Sequence, residues 1–151
     1  MYLRRMAKLE LDNSIADMIK KIETFANSEE VYQRMISEGQ GIMKSAIESG
    51  ARKHVRTGRM ANSLNNTKPT KDKNGNWVGR VRFTGTDGTH VTKEGKKYDI
   101  TNWLKAFRIE YGTSHEKAEP FVSPAIHACE GHIRARWQEI FDKELKKLQW
   151  I

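Results

Sequence analysis

The sequence of 151 residues contains one cysteine, three prolines and no long apolar run. The single Cys129 excludes an intramolecular disulfide framework and any zinc module built from several cysteines. No stretch approaches the ~18 consecutive apolar residues of a membrane-spanning helix, so we expect no transmembrane segment. The first residues, MYLRRMAKLELD, become charged before an apolar run of ~7–15 residues occurs, so we expect no secretory signal peptide.

Candidate catalytic and metal-binding groups are also scarce. His127 and His132 are five residues apart, whereas a helical zinc pair needs a spacing of four with a third ligand elsewhere. Cys129 falls at helical core spacing, which is typical of a small buried hydrophobic residue rather than a nucleophile. Glu110 and Glu116 are too dispersed to predict a pair of catalytic carboxylates. The sequence therefore predicts a protein that is not an enzyme and holds no metal or cofactor.

The charge of the chain is basic and uneven. There are 27 Lys and Arg against 19 Asp and Glu, a formal net charge of +8, and hydrophobic residues make up 37%. Residues 55–119 carry thirteen of the basic residues and seven of the acidic ones. The length predicts one domain over residues 1–151. The basic central region is where contact with a polyanion is expected.

The N-terminal third predicts two helices. Apolar residues recur at steps of three and four, and these are Leu11, Ile15, Met18, Ile19, Ile22 and Phe25. Asp12 is the expected cap of this helix, which forms an N-terminal extension over residues 1–27. A second helix is expected from Glu29 to about His54, since acidic residues favour a helix N-terminus. Gly39 and Gly41 lie inside it, so either the helix bends there or another element packs closely.

The middle of the chain predicts antiparallel strands. Asn74-Gly75 is a strong hairpin turn signal, and after it Trp77, Gly79, Val81 and Phe83 alternate with more polar residues. This alternation is typical of a half-buried strand, whose partner is expected within residues 62–70. Residues 85–98 contain three glycines and few apolar residues. We predict a flexible loop there, with a second short hairpin around Glu94-Gly95 as the alternative.

The last third predicts a short helix and a long amphipathic helix. Thr101 is the expected cap for the short helix that contains Trp103, Leu104 and Phe107. Pro124 follows Ser123 as the first helical residue follows a cap, so the long helix is expected to start there. The predicted fold class is α+β, in which an antiparallel, hairpin-based sheet packs against the N-terminal helices and the long C-terminal helix.

Basic and aromatic residues interleave along residues 68–97. The candidate DNA-facing basic residues are Arg80, Arg82, Lys93, Lys96 and Lys97, and the aromatic ones are Trp77, Phe83 and, directly after this segment, Tyr98. This mixture is typical of surfaces that stack bases and contact phosphates, and it favours a small nucleic-acid-binding protein as an alternative function. The same aromatics also fit the buried face of a strand, and the lysines fit a solvated loop. No helix-turn-helix, zinc finger or ribonucleoprotein motif is present.

Three short elements between residues 57 and 125 are more specific. The first is Thr57-Gly58-Arg59-Met60-Ala61-Asn62-Ser63-Leu64, the second is Glu110-Tyr111-Gly112-Thr113, and the third is Pro120-Phe121-Val122-Ser123-Pro124-Ala125. Their order and spacing, over roughly residues 28–148, resemble the tail-completion or head–tail joining (neck) protein family of long-tailed bacteriophages and prophages. Met60 stands where that family usually has leucine. The segment 85–98 and the N-terminal helix depart from the family pattern.

The resemblance implies a structural virion protein rather than a catalyst. It implies a homo-oligomeric ring, for which we expect a hexamer, between the portal or connector adaptor of the head and the tail tube or tail terminator. DNA would pass through the lumen with non-specific contact at most, no membrane would be involved, and assembly would occur in the bacterial host cytoplasm. The motif residues expected at the assembly interface are Arg108, Glu110, Tyr111, Gly112, Thr113, Pro120, Phe121 and Pro124.

The turn from Glu110 to Pro124 has two possible roles. Gly112 lets the chain reverse direction, and Pro120 and Pro124 stiffen the path on either side of Phe121. Such a turn either braces the core or presents a fixed edge to a neighbouring subunit. Because Glu110 looks too polar for a core, we expect its side chain to be exposed and to serve assembly, whereas Phe121 is expected to be buried.

Overall fold

The fold is α+β, as a computed structural model of residues 13–54 and 58–147 shows. The helices are α1 (Asn13–Ala26), α2 (Glu29–Ala51), α3 (Arg59–Asn62), α4 (Asn102–Tyr111) and α5 (Val122–Lys147), with a short 3-10 helix at Arg52–His54. The strands are β1 (Leu64–Asn66), β2 (Thr70–Lys71), β3 (Trp77–Val78), β4 (Val81–Phe83), β5 (Thr86–Val91) and β6 (Lys97–Thr101). They form three two-stranded antiparallel ladders, where one sheet was expected. In this part of the chain no helix is both long and apolar enough to cross a membrane.

The two N-terminal helices agree with the apolar periodicity. Helix α1 ends at Ala26, and α2 begins at Glu29 with Glu29 and Glu30 in its first turn. These carboxylates lie where the free N–H groups and the dipole of the helix favour negative charge. The residues Leu11, Asp12, Thr57 and Leu148, which the sequence assigns to helices or to a motif, lie outside the described residues.

Helix α5 packs along α2, and Gly39 lies at the contact with Trp137 and Ile133. The Trp137 indole N–H donates to the Met35 carbonyl at 2.6 Å. A Cβ on Gly39 would lie 3.2 Å from Trp137 Nε1, whereas a Cβ on Gly41 would meet nothing within 4 Å. Close packing, rather than a bend in the helix, therefore accounts for Gly39.

The first hairpin confirms the predicted turn and partner segment. Strand β1 pairs with β4, Leu64 opposite Phe83, and β2 pairs with β3. At the turn, Asp72 Oδ1 accepts hydrogen bonds from the Asn74 and Asn76 N–H groups at 2.8 and 2.9 Å. These bonds hold the pKa of the Asp72 carboxyl below its usual value, the bond from Asn76 being the largest cause.

A buried glutamine joins this hairpin to α2. The Gln40 side-chain amide donates to the Thr67 carbonyl at 2.9 Å and to the Arg80 carbonyl at 3.1 Å, one on each side of the hairpin. The contact requires close approach, because a Cβ on Gly79 would lie 2.4 Å from Gln40 Nε2 and 2.5 Å from Ile36 Cγ2. Gly79 therefore provides room for the glutamine that fixes the hairpin against the helix.

The expected loop over residues 85–98 is corrected by the structure. Strands β5 and β6 form a second hairpin, with a register shift between Thr86 and Thr89. Its turn is the alternative expected around Glu94-Gly95, where the Gly95 N–H donates to the Thr92 carbonyl at 2.9 Å. At its base, Lys105 of α4 pairs with Asp87 at 2.6 Å. Backbone pairing forms the hairpin, and this ion pair attaches it to α4, although the hairpin buries little apolar surface.

The core lies between α2, α3, α4 and the start of α5. Its buried side chains are Ile47, Ala51, Met60, Ala61, Leu64, Ala106 and Phe121. The element around Thr57-Gly58 contributes Met60, Ala61 and Leu64, which are 0–2% exposed, and Gly58 precedes α3 with φ of +71°. Phe121 belongs to the third family-like element, residues 120–125, so the core joins the first element to the third.

Candidate functional site

The segment between α4 and α5 folds as a compact turn. Helix α4 ends at Gly112, whose N–H donates to the Arg108 carbonyl at 2.8 Å. The Thr113 hydroxyl oxygen then accepts from the His115 and Glu116 N–H groups at 3.2 and 3.0 Å. Thr113 N–H donates to the Glu116 carbonyl at 2.9 Å. These bonds satisfy the backbone of the reversal and return the chain to α4.

The Glu110 carboxylate connects the end of α4 to the start of α5. Oε2 accepts from the Phe121 and Val122 N–H groups, both at 2.8 Å, and Oε1 accepts from the Ser123 N–H at 3.0 Å. The Ser123 hydroxyl donates to Oε1 as well. Beside it, Glu119 N–H donates to the Ile109 carbonyl at 2.8 Å. We call Glu110 with its donors on residues 121–123 the Glu110 clasp.

The clasp corrects the expectation that Glu110 is exposed. Its side chain is buried, with 6% of the residue accessible. The first N–H groups of a helix have no partner within the helix, and the helix dipole favours an anion beside them. A carboxylate that receives four donors meets both requirements, so its burial is compensated. Glu110 therefore serves the fold directly rather than a partner.

The start of α5 also differs from the expected cap. The helix begins at Val122, so Ser123 is its second residue rather than its cap, and Pro124 is the third. Pro124 has no N–H to satisfy, and Ala125 N–H reaches the Phe121 carbonyl at 3.4 Å. With Glu110 accepting from the residues before Pro124, the first turn is satisfied by a side chain from another helix.

Glu110 should make the free energy of unfolding depend on the pH of the solution. Burial raises its pKa, but the bonds from the Ser123 hydroxyl and the three N–H groups outweigh burial and hold the pKa below the usual 4.5. A folded-state pKa that is depressed gives stability above the unfolded value, and this stability is lost as the pH falls through the folded value. We expect the difference in unfolding free energy between wild type and Glu110→Gln to shrink below pH 4.5. Urea titrations over a pH series would measure it, and a constant difference would contradict the assignment.

Gly112 is the residue of the turn from Glu110 to Pro124 whose backbone demands glycine. Its φ is +75°, and a Cβ there would lie 2.7 Å from Ala118 N and 2.9 Å from the Glu116 carbonyl oxygen. Gly112→Ala is expected to cost about 2–3 kcal/mol, from left-handed strain together with the backbone clash. Gly75→Ala is the matched control, because Gly75 has φ of +81° and open space around it. Denaturation should show the larger loss at Gly112, and equal losses would remove the steric part of the argument.

The remaining motif residues divide between the surface and the core. Phe121 is buried as expected, at 5% exposure, with its ring 6.1 Å from that of Phe83 and 5.4 Å from that of His54. The exposed members are Arg108, Tyr111, Thr113, Pro120 and Pro124. Assembly contacts through exposed side chains of this motif are therefore open to these five, whereas the Glu110 side chain is buried.

A surface that the sequence did not single out lies along α4. Trp103, Phe107 and Tyr111 are 57%, 45% and 66% exposed, and their rings follow each other at 5.5 and 4.7 Å. They border a cavity of about 450 Å³, which is also lined by Val81, Arg82, Phe83, Val122 and Ile126. We call the three rings and this cavity the aromatic groove. Their spacing of four residues is the signal that could have identified one continuous stripe.

The structure places the basic candidates on two separate ladders. Arg80 and Arg82 lie on the first hairpin, and Lys93, Lys96 and Lys97 lie at the end of the second; all five are exposed. Phe83 packs on Phe121, which supports the buried-strand reading for that ring. Tyr98 is exposed and stacks on His90 at 5.8 Å. These residues therefore do not form one continuous surface that could bind bases and phosphates.

The chain was compared with known proteins on three levels. No family model, curated protein or solved structure matches it.

The hydrogen bonds of the Glu110 clasp hold two helices together and give the carboxylate a structural role. The Glu110 oxygens already receive four hydrogen bonds, which leaves the carboxylate ionised and its lone pairs engaged. Such a group is poorly placed to act as a general base, whose pKa should lie near the working pH. The arrangement fixes the direction in which α5 leaves α4 and holds the exposed side of α4 beside it.

Proposed function

We propose that the protein is a structural component of the neck of a tailed bacteriophage or prophage particle. In this proposal it forms a ring, expected to be a hexamer, between the portal or connector adaptor and the tail tube or tail terminator. It would join and seal these parts while DNA passes through the lumen. Assembly would take place in the cytoplasm of the bacterial host.

The observation that supports the proposal most is the Glu110 clasp. The resemblance rests largely on two short elements, Glu-Tyr-Gly-Thr and Pro-Phe-x-x-Pro-Ala. In this chain the glutamate of the first binds the backbone of the second, and Gly112 makes the reversal between them. The two elements therefore act as one unit, which gives a physical reason for their joint occurrence. The unit also holds an exposed aromatic surface, as an assembly protein needs.

Particle assembly tests the proposal. In the bacterium that carries the gene, deletion should yield heads and tails that are not joined or tails that are not completed, and the wild-type gene supplied in trans should restore whole particles. A tagged copy should be detected by gold labelling at the head–tail junction in electron micrographs. Normal particles from the deletion strain, or purified tailed particles without the tag, would refute a neck function.

The alternative is a small nucleic-acid-binding protein that uses residues 68–97. Its support is the exposure of Arg80, Arg82, Lys93, Lys96 and Lys97, for which the described part of the chain shows no ion pair. Binding of duplex DNA that weakens steeply with salt would show phosphate contacts. Binding with a clear base preference, together with normal particles from the deletion strain, would favour this alternative over the neck protein.

A further inference from the structure

The aromatic groove is unusual because large aromatic residues occupy the exposed side of α4. On α4 the large aromatic residues Trp103, Phe107 and Tyr111 face outwards, while Ala106 and Glu110 face the core. Burial of an aromatic side chain is worth far more than burial of alanine. The orientation of α4 therefore leaves its most hydrophobic side uncovered in the protomer, and a contiguous apolar patch of this kind marks an interaction surface.

A second uncovered apolar surface lies at α1. Ile19 and Ile22 are 40% and 45% exposed, and Phe141 of α5, whose ring contacts that of Phe25, is 38% exposed. Helix α1 meets the body through Phe25, whose ring contacts that of Phe141 edge-on at 5.2 Å, and through the Tyr32 hydroxyl, which donates to the Ala26 carbonyl at 3.1 Å. An amphipathic helix with its apolar side open is suited to bind a hydrophobic groove.

The two surfaces cannot meet within one protomer. The aromatic groove lies at the start of α5, where Val122 and Ile126 line it. Helix α1 contacts Phe141, which is fifteen residues further along the same helix, or about 22 Å at the rise of an α-helix. Contact between groove and α1 therefore requires two copies, and it joins different surfaces of each. Such head-to-tail contacts generate rings when the rotation closes.

The two surfaces are compatible in length and complementary in charge. The stripe from Trp103 to Tyr111 rises about 12 Å over eight residue steps, and α1, with fourteen residues and a length of about 21 Å, is long enough to cover it. Arg82 lines the groove and is exposed, and Glu23, four residues after Ile19, is exposed beside the apolar side of α1. Within the described residues neither side chain has an ion-pair partner, so opposite free charges flank the two apolar surfaces.

We infer that the aromatic groove of one protomer binds helix α1 of a second copy of this chain. The inference rests on the proposed function in that it supplies the contact by which the ring is built. Ile19 and Ile22 cover the stripe of Trp103, Phe107 and Tyr111, and Glu23 pairs with Arg82 at the border. Each protomer then offers one α1 and one groove, and the last groove receives the first α1 when the ring closes.

Mixing two damaged variants tests the contact. Ile22→Glu should disrupt the apolar surface of α1 and leave the aromatic groove intact. Phe107→Glu should disrupt the groove and leave the apolar surface of α1 intact. Each alone should weaken self-association roughly 30-fold or more, as loss of a central interface residue does, and should sediment as a monomer. An equimolar mixture should give a one-to-one dimer and nothing larger, because only one intact α1 and one intact groove are present. Analytical ultracentrifugation would measure all three samples.

Controls separate folding from assembly. Circular dichroism should be unchanged in both variants, and Trp103→Glu replaces Phe107→Glu should the latter fail to fold. Val91→Glu, at an exposed apolar residue of β5 outside both surfaces, should assemble like wild type. Wild type that stays monomeric, a single variant that still forms the full oligomer, or a mixture that does not dimerise would each overturn the inference.

A charge exchange tests the same contact without touching an apolar residue. Glu23→Arg and Arg82→Glu should each weaken self-association, and the double variant should recover most of the loss. Absence of recovery would overturn the Glu23–Arg82 pairing. The outcome is distinct from that of the particle experiment, because a neck ring built on other surfaces would still label at the junction. An oligomer held by α1 and the groove, in turn, would form in solution even if the protein had no place in a particle.

Discussion

Replacement of Glu110 by alanine is expected to lower the free energy of unfolding by about 3–4 kcal/mol. The change removes the acceptor of three N–H groups and one hydroxyl at a place that is 6% exposed. Donors left unpaired in a buried site cost more than the net value of the bonds they made. The first turn of α5 also loses its cap. Urea denaturation followed by circular dichroism would measure the loss.

Two further variants isolate the cause. Glu116→Ala, an exposed glutamate in the same turn, should change stability by less than about 0.5 kcal/mol. Glu110→Gln keeps the shape and one carbonyl oxygen but presents an N–H₂ group to backbone donors, so its loss should lie between the other two. A loss at Glu110→Ala no larger than at Glu116→Ala would mean that the clasp does not hold the helix start.

Phe121→Ala should have an effect of similar size for a different reason. The ring is 5% exposed in the core, lies against Phe83 and His54, and packs over α2, where a Cβ on Gly50 would lie 3.3 Å from Phe121 Cβ. Removal of a buried phenyl ring loses its transfer energy and leaves a cavity, together about 3–5 kcal/mol. Thermal and urea unfolding would both report it. Because Phe121 N–H also binds Glu110, losses of the two variants should not add in full.

Tyr111→Ala is the matched control for Phe121→Ala. Tyr111 belongs to the same motif and is 66% exposed, so its removal should cost about 1 kcal/mol or less, mainly the ring contact with Phe107. A loss at Tyr111→Ala that equals the loss at Phe121→Ala would mean that the inside and the outside of the turn are assigned wrongly.

The helices could be predicted because their signals are local. Three local signals lie within a few residues of the element concerned: the apolar steps of α1, the acidic start of α2 at Glu29, and the cap at Thr101. The Thr101 hydroxyl oxygen accepts from the Leu104 N–H at 3.1 Å. The turn at Asn74-Gly75 is local in the same way. Such features depend on backbone geometry and on short-range hydrogen bonds.

The second hairpin had a weaker signal, the turn at Glu94-Gly95, which supported a hairpin only as the alternative to a loop. Strands β5 and β6 leave Val91 60% and Tyr98 44% exposed, so hydrophobic alternation is weak. The pairing depends on backbone bonds and on a cross-strand contact, in which the Thr89 hydroxyl donates to Asp99 at 2.7 Å. Hydrophobic periodicity indicates a strand only where one face of the strand is buried. Three glycines in a polar segment therefore predict a loop.

The buried side of α4 could not be predicted from the sequence, because hydrophobicity alone predicts burial of the opposite side. Trp103 and Phe107 are more apolar than Ala106 and Glu110, yet the latter pair faces the core. What decides the orientation is the approach of residues 121–123, whose N–H groups need an acceptor. That approach is a tertiary contact between residues more than ten positions apart, and no local spacing encodes it. The burial of Glu110 and the exposure of the stripe follow from the same event.

The Glu110 clasp also sets an order of events in folding. The acceptor for the first turn of α5 belongs to α4, so this turn lacks a cap until α4 has formed and docked. A peptide that comprises α5 alone would fray at its start, whereas in the protein the end of α4 and the start of α5 gain their last hydrogen bonds in one step. Local opening should therefore involve both ends together as one cooperative unit, so amide protons of Gly112 and Val122 are linked although the chain between them is a surface turn.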